Sequence, residues 1–131
     1  GTYRKAETTQ VVIRKNDLDQ YTVNGSINGQ SVQFLVDTGA NTVAMNELDA
    51  RKRGLQCRID GQESQVVTAS GVSKSWTVKL DSVKVGEIQV ANVDAVVVQG
   101  GFPTQVLLGM SYLNSVRMQE QNSTLMLEKK F

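Results

Sequence analysis

The apolar residues of this 131-residue chain fall in many short runs, and this pattern limits its fold more than any other feature. Some runs alternate apolar and polar residues, which is typical of half-buried strands. Others are continuous, which is typical of strands buried on both faces. Glycine, asparagine and serine separate the runs and indicate turns. From the N-terminus, the runs that predict strands are 11–13, 21–27, 32–36, 66–69, 72–80, 83–85, 88–93, 95–98, 106–108 and 125–127, and the runs on either side of Gly86 predict a hairpin.

Local signals add one tight hairpin and one clear helix. Asn28-Gly29 lies between two strand runs and predicts a two-residue hairpin turn. Residues 46–54 predict a short helix, because Asn46 can cap the start, acidic residues fill the first turn, basic residues fill the last, and a glycine follows. Residues 110–114 predict one or two further helical turns. Many short strands with few helices predict a mainly antiparallel β barrel or sandwich.

Composition removes several kinds of chemistry. The chain has no histidine and one cysteine, Cys57. Without histidine, Ser-His-Asp and Cys-His catalysis and the usual zinc sites are excluded. One cysteine excludes an internal disulfide and a cysteine-rich metal cluster, and Cys57 itself is expected to be a small, partly buried apolar residue. Acid–base chemistry must therefore rest on carboxylates, and we expect neither a metal nor a cofactor.

The length fits one domain. Residues 1–9 are polar and aperiodic and predict a tail or linker, so the domain is expected over residues 10–131. The formal net charge is +1 and no long basic run occurs, which argues against a nucleic-acid partner. No apolar stretch approaches the ~18 residues that span a bilayer. Because residue 1 is Gly rather than Met, we expect a processed or truncated chain, with any signal or anchor segment lying upstream.

The motif that carries chemistry is Asp37-Thr38-Gly39, which directly follows the apolar run ending at Val36. A strand end would hold the Asp37 carboxylate in a fixed place, and Gly39 permits the sharp turn that aims it outward. Thr38 offers a hydroxyl and a backbone N–H to a neighbouring loop. The alternative is a surface aspartate in an ordinary Asp-x-Gly turn. The residues alone leave both interpretations open.

Three segments together resemble a known family. Residues 34–40, Phe-Leu-Val-Asp-Thr-Gly-Ala, resemble the active-site loop of retroviral-type aspartic proteases, the retropepsins. Residues 106–109, Val-Leu-Leu-Gly, with the turn that follows, resemble the run that crosses beneath that loop and enters a short helix. The hairpin tip at residues 68–71 lies between them, where the family places its flap. The likeness covers residues 21–127 and is strongest to bacterial membrane-anchored retropepsin-like proteases. Asn41 departs from the family's usual Ser, Thr or Asp, which affects fine specificity.

The resemblance implies a mainly β fold, a retropepsin-like half-barrel with a flap hairpin and one or two short helices. It also implies a peptide or protein substrate, and a periplasmic location with an inner-membrane anchor in the full-length protein. Trp76 is expected to pack at the base of the flap hairpin. The implied site residues are Asp37 as the catalytic carboxylate, Thr38, Gly39 and Ala40 as its supporting loop, Thr68, Ala69, Ser70 and Gly71 as the flap, and Leu107, Leu108 and Gly109 as the structural loop under the site.

The mechanism of such proteases needs two carboxylates. One is ionised and activates water, and the other is protonated and polarises the scissile carbonyl; carboxylates about 3 Å apart cannot both ionise. The chain has a single Asp-Thr-Gly. We therefore predict an aspartic endopeptidase that works as a homodimer, with Asp37 of each copy on the two-fold axis. Retropepsin dimers usually join their chain termini in a shared sheet, which residues 125–127 could enter.

Two other functions fit the same residues. The chain could be a catalytically inactive retropepsin-fold module that binds peptides or dimerises, because a fold does not fix a function. It could also be a β-barrel binding domain in which the motif arose by chance. The intact Asp-Thr-Gly favours the enzyme, since a pure binding module has no need of a carboxylate at that position.

Overall fold

A computed structural model describes residues 9–69 and 71–130. Most of the predicted tail, residues 1–8, and the predicted flap residue Ser70 lie outside the described residues. The strands are β1 (Gln10–Arg14), β2 (Thr22–Ile27), β3 (Gln30–Val36), β4 (Val43–Asn46), β5 (Gln62–Thr68), β6 (Gly71–Val85), β7 (Ile88–Val98), β8 (Val106–Leu108), β9 (Val116–Gln121) and β10 (Thr124–Lys129). The helices are α1 (Glu47–Lys52), α2 (Cys57–Asp60) and α3 (Met110–Leu113).

The strands form two sheets. The larger has seven strands in the order β2-β3-β8-β4-β7-β6-β5, and a further pairing of β2 with β6 curls it toward a barrel. The smaller has three strands in the order β1-β10-β9. Most pairs are antiparallel, but β3 pairs with β8 and β4 pairs with β7 in parallel. The mainly β, barrel-like fold predicted from the sequence is confirmed.

The β2–β3 hairpin follows from its turn residues. Asn28 and Gly29 have φ angles of 49° and 82°, as a tight hairpin turn with two left-handed residues requires. Ile27 and Gln30 are therefore opposite one another, and the register places Val23 against Phe34. Phe34 is fully buried, so the local turn chemistry and the apolar pattern agree on one register.

Helix α1 begins where its capping residue predicts. The Asn46 side-chain oxygen accepts a hydrogen bond from the backbone N–H of Asp49 at 2.8 Å. Gly54 follows the helix with a φ of +75°, the left-handed conformation in which glycine ends helices. The Asn46 amide also donates to the carbonyl oxygen of Pro103 at 2.9 Å. One side chain thus caps α1 and holds the loop that precedes β8.

Two elements were not predicted, and one region is more continuous than expected. Helix α2 has four residues, which is too short to show a helical period, and it adds a third short helix among the described residues. Strand β9 has one buried residue followed by five exposed ones, so no alternation marks it. The runs predicted as separate strands over residues 72–98 form two long strands, β6 and β7.

The core is apolar and lies between the sheets and the helices. Tyr112 on α3 is fully buried, and its hydroxyl donates to the carbonyl oxygen of Ile88 at 2.8 Å. Burial raises the pKa of Tyr112, so the phenol stays neutral. Trp76 and Cys57 are both buried, and burial raises the pKa of the Cys57 thiol. Within the described ranges, no helix is long and apolar enough to cross a membrane.

A buried carboxylate joins the first two helices. Glu47 on α1 is 8% exposed and forms ion pairs with Arg51 and Arg58. The Arg58 guanidinium donates to both carboxylate oxygens, one of them at 3.0 Å, and the hydrogen bond from Arg58 is the main reason that the pKa of Glu47 is lowered. The same guanidinium lies 4.6 Å from the centre of the Trp76 ring. Glu47, Arg58 and Trp76 are called the flap-base clamp below.

The lowered pKa of Glu47 predicts a pH-dependent part of the stability. The folded pKa lies below the ordinary value of 4.5, so the ion pairs stabilise the fold fully above that value and are lost as the pH falls through the folded pKa. Because Arg58 and Arg51 remain 47% and 64% exposed, we expect Glu47→Gln to lower the free energy of unfolding by about 1–2 kcal/mol near pH 7.

The measurement is urea unfolding at about pH 7 and about pH 3.5. The natural chain should lose more stability than Glu47→Gln over that interval, because the variant has no carboxylate to protonate. Glu87→Gln, at an exposed position in the β6–β7 turn, is the control and should behave like the natural chain. The same pH dependence in all three proteins would show that Glu47 is not the source.

Candidate active site

Asp37 stands at the end of β3, where the sheet fixes its backbone. Strand β3 pairs in parallel with β8, and Val36 lies opposite Leu108. The Asp37 N–H extends this pairing by one step, since it donates to the carbonyl oxygen of Leu108 at 3.1 Å. Leu108 is fully buried and Asp37 is half-buried. The carboxylate therefore leaves a rigid strand end at the border between core and solvent.

The loop after Asp37 is closed by its own hydrogen bonds. One carboxylate oxygen of Asp37 accepts from the backbone N–H of Gly39 at 2.9 Å, and the Asp37 carbonyl oxygen accepts from the N–H of Ala40 at 3.2 Å. A side chain on Gly39 would begin 3.1 Å from that carboxylate oxygen, so glycine gives the loop room to fold. Thr38 and Gly39 are exposed in the single chain.

A second backbone segment supports the loop from below. Gly109, between β8 and α3, lies so close to the loop that an added Cβ would be 2.0 Å from the carbonyl oxygen of Thr42 and 2.7 Å from that of Ala40. The N–H of Met110 donates to the Ala40 carbonyl oxygen at 2.8 Å. Leu107 pairs with Ala44 of β4 on the other side. Residues 107–109 therefore pack between the loop that follows Asp37 and β4.

Ser111 also supports the site, although sequence reasoning missed it. Its hydroxyl accepts from the N–H of Val43 at 2.9 Å and donates to the carbonyl oxygen of Asp94 at 2.7 Å. It therefore ties α3 to β4 and β7. The sequence feature that could have revealed this role is the position of Ser111 two residues after Gly109, because a hydroxyl there can reach the strands packed on either side.

The predicted flap is the outer part of the β5–β6 hairpin. The two strands pair from Gln62 opposite Thr77 out to Thr68 opposite Gly71, and Ala69 begins the turn. Ser75 is the first residue of β6 paired with β7, so the hairpin projects beyond the neighbouring strand.

The exposed face of the flap is apolar near its tip. Val67 and Val72 are opposite each other and are 86% and 64% exposed. The flap belongs to the same sheet as β3, but β8, β4 and β7 separate β6 from β3 along the sheet order, and the pairing of β2 with β6 lies at the other end of β6, at residues 83–85. The structure thus brings Asp37, its loop and the structural loop together directly and leaves the flap as a separate projection.

The loop between β7 and β8 is tied to both the flap and α1. The N–H of Gln99 donates to the carbonyl oxygen of Lys74 in the flap at 2.9 Å, and Pro103 accepts from Asn46 at 2.9 Å. Phe102, next to Pro103, is 62% exposed. The sequence predicted this loop but gave it no role in the site.

The three-stranded sheet bears on how two copies could meet. Strand β10 pairs with β1 on one side and with β9 on the other, so both of its edges are occupied within one chain. Residues 125–127 therefore have no free edge for direct pairing with a strand of a second copy, and they could enter a shared sheet only through β1 or β9. The outer edges of β1 and β9 are the ends of this sheet.

Among the residues that the structure describes, no group of three or more Cys, Asp or Glu side chains is placed to hold a metal ion. Asp37 is the acid that stands at the strand end within the tightly bonded loop. The roles assigned to it and to its neighbours remain predictions from the motif, now with a defined geometry.

Comparison with known proteins identifies the family. The family model described as "gag-polyprotein putative aspartyl protease" matches residues 23–115. The chain belongs to this family of retropepsin-like aspartic proteases. Its fold is similar to the crystal structure of a retropepsin-like aspartic protease from Rickettsia conorii, with a TM-score of 0.82 and 27% identity, over 98% of this chain and 97% of that one.

Two further proteins are similar in sequence. An uncharacterized protein from the cobV 5′ region of a Sinorhizobium species is 32% identical over 114 residues, which covers 87% of this chain and 49% of that protein. An uncharacterized protein of Rickettsia prowazekii (strain Madrid E) is 30% identical over 107 residues, which covers 82% of this chain and 46% of that protein. The chain thus spans about half the length of these relatives.

The close approach at Gly109 can be tested by adding one methyl group. Because the nearest atoms are backbone carbonyl oxygens that cannot move aside cheaply, we expect Gly109→Ala to lower the free energy of unfolding by at least about 2 kcal/mol. Gly101→Ala is the matched control, since an added Cβ there meets nothing within 4 Å. Thermal unfolding measures both; equal melting temperatures would show that the loops do not pack as described.

Proposed function

We propose that this protein is an aspartic endopeptidase whose active site forms when two copies bring their Asp37 carboxylates together. The observation that carries the proposal is the intact carboxylate at a rigid strand end, held by the N–H of Gly39 at 2.9 Å. The family match and the similar fold support it. Fixed geometry of this kind is what a catalytic group needs.

One copy cannot perform the chemistry alone. The chain has a single Asp-Thr-Gly, and hydrolysis by this route needs an ionised and a protonated carboxylate side by side. In a dimer, the ionised Asp37 takes a proton from water, and the water oxygen attacks the scissile carbonyl carbon. The protonated Asp37 of the partner donates to the carbonyl oxygen. The carboxyl that took the water proton passes it to the amide nitrogen, and the C–N bond breaks while one hydroxyl of the diol intermediate returns its proton to the other carboxylate. The amine and the new carboxylic acid leave, and the pair again shares one proton.

An extended peptide is the substrate that this site is suited to bind. A peptide laid over the site as a strand can hydrogen-bond through its main chain, with side chains pointing alternately to either side. The flap hairpin would close over it and exclude water. The exposed Val67 and Val72 at the outer part of the flap would then be covered by apolar contacts.

Replacing the carboxylate tests the catalytic role. We expect Asp37→Asn to lower kcat/KM by about 10³-fold or more, because the dyad acts as a unit. The assay is cleavage of denatured casein and of a peptide library at mildly acidic pH. Asp17→Asn, at an exposed position, is the control and should keep full activity. Equal cleavage by natural chain and Asp37→Asn would end the proposal, and peptide binding without any cleavage would favour an inactive binding module.

We further propose that the two copies meet along β9. Because β10 is paired on both sides, β1 and β9 hold the free edges of the sheet. Strand β9 is linked to the catalytic strand through Tyr21: its hydroxyl donates to Glu120, and its carbonyl oxygen accepts from the N–H of Val36 at 2.9 Å. Burial first, and then Glu120, raises the pKa of Tyr21 to about 12, so the phenol keeps its proton. The five exposed residues of β9 leave room for a partner strand.

A charge placed on β9 tests this edge. A strand that pairs with its own copy in antiparallel fashion brings its middle residues together, and like charges there repel. We expect Gln119→Lys to weaken the dimer about five- to tenfold by sedimentation, and an equal mixture of Gln119→Lys and Gln119→Glu to restore it. Val12→Lys, on the β1 edge and 61% exposed in the natural chain, should have little effect. If Val12→Lys weakened the dimer and Gln119→Lys had little effect, the two copies would meet along β1 instead.

A further inference from the structure

The flap is held at its base on both strands, on the β6 side by β7 and on the β5 side by α2. Strand β5 begins at Gln62, one residue after the C-cap Gly61 of α2. Gly61 packs closely on β6: an added Cβ would be 2.9 Å from the Cβ of Trp76 and 2.9 Å from a methyl carbon of Val78. The segment that leads into the flap therefore packs directly against β6, the strand that leads out of it.

The flap-base clamp holds this end from three elements. Arg58 extends from α2, donates to both oxygens of Glu47 on α1, and lies over the Trp76 ring on β6 at 4.6 Å. A planar guanidinium can make a two-point contact with a carboxylate and stack on an aromatic ring at the same time. Glu47 is 8% exposed and Trp76 is 3% exposed, so both groups that Arg58 contacts are buried, while the Arg58 side chain itself is 47% exposed.

The clamp is also connected to the catalytic loop. Glu47 directly follows β4, and β4 begins at Val43, whose N–H donates to Ser111 at 2.9 Å. Residue 42 provides the carbonyl oxygen that packs on Gly109 under the loop of Asp37. Glu47 is therefore placed by the same strand that borders the site. Through Arg58, the base of the flap takes its position from that strand.

The outer flap has a different character. Its residues are largely exposed, including Glu63, Gln65 and Val67 on β5 and Val72 and Lys74 on β6. Few buried contacts make a segment easy to displace as a unit. A hairpin that is largely exposed in its outer part and held at its base moves by turning about that base.

We propose that Arg58 is a positioning residue that fixes the pivot of the flap relative to Asp37, with Glu47 and Trp76 as its two supports. This inference rests on the proposed protease function, in which the flap closes over substrate. The clamp then decides where the flap comes to rest on a bound peptide. Misplacement of a closing element by about 1 Å can lower catalysis as much as 10²-fold without any change in the reacting groups.

The structure offers a matched pair of variants. Arg58 and Arg51 both pair with Glu47, but Arg58 also contacts Trp76 of the flap strand, whereas Arg51 lies on α1 and donates to Glu47 at 3.1 Å. Arg58→Met and Arg51→Met each remove one guanidinium from the same carboxylate. Arg58→Lys keeps the charge but loses the two-point contact and the flat stacking surface.

Kinetics and hydrogen exchange together test the inference, at a temperature where all variants are folded and dimeric. We expect Arg58→Met to lower kcat/KM at least about tenfold, mainly through KM, with Arg58→Lys between it and the natural chain and Arg51→Met within about twofold. Amide exchange in peptides covering residues 62–68 and 71–74 should rise about tenfold in Arg58→Met but not in Arg51→Met.

The two readouts separate this inference from the proposed function. Unchanged KM in Arg58→Met, or the same flap exchange in Arg58→Met and Arg51→Met, would overturn the pivot. If the natural chain cleaved no peptide, the proposed function would fail, and the exchange comparison would still decide whether Arg58 holds the flap. Exchange in the β2–β3 hairpin is the internal reference and should stay constant in every variant.

Discussion

The contact on which the site depends is the crossing of two backbone segments at Gly109. The loop after Asp37 and the segment from β8 into α3 approach so closely that carbonyl oxygens of Ala40 and Thr42 occupy the space of a missing Cβ. This approach lets the Asp37 N–H reach the carbonyl oxygen of Leu108 and the Met110 N–H reach that of Ala40, at 3.1 and 2.8 Å. Without this close approach, the Asp37 carboxylate would lie on an unsupported loop, because its hydrogen bond to the N–H of Gly39 joins two residues of that same loop.

Local chemistry was enough to predict the elements whose ends are set by single residues. The hairpin at Asn28-Gly29 and the start of α1 at Asn46 follow from turn and cap preferences that act within a few residues. The position of Asp37 at a strand end followed from an apolar run and a glycine. Contacts between distant segments could not be predicted in this way: Arg58 reaches Glu47 and Trp76, and Ser111 reaches Val43 and Asp94. Neither the four-residue helix α2 nor the exposed strand β9 has an apolar periodicity that could be detected in the sequence.

The pairing of β10 on both sides affects how two copies of the chain could associate. A strand with both edges occupied contributes to the fold of its own chain, because β10 pairs with β1 on one side and with β9 on the other. Two copies therefore need not exchange their ends to complete a sheet. They can meet as folded units at a free edge, so the stability of each copy and the strength of their association are separate quantities that mutations can change independently.

The same separation applies to Asp37, the proposed catalytic carboxylate. In one chain, Asp37 is already held by the strand pairing behind it and by the N–H of Gly39 beside it, before any partner is present. In the proposed dimer, association would bring together two ordered loops and would not have to order them, which favours binding because less conformational freedom is lost. What a second copy would add is charge: a carboxylate near another must share a proton with it. Under this proposal the fold of each chain provides the geometry of the site, and the acid–base chemistry would arise only from the pair.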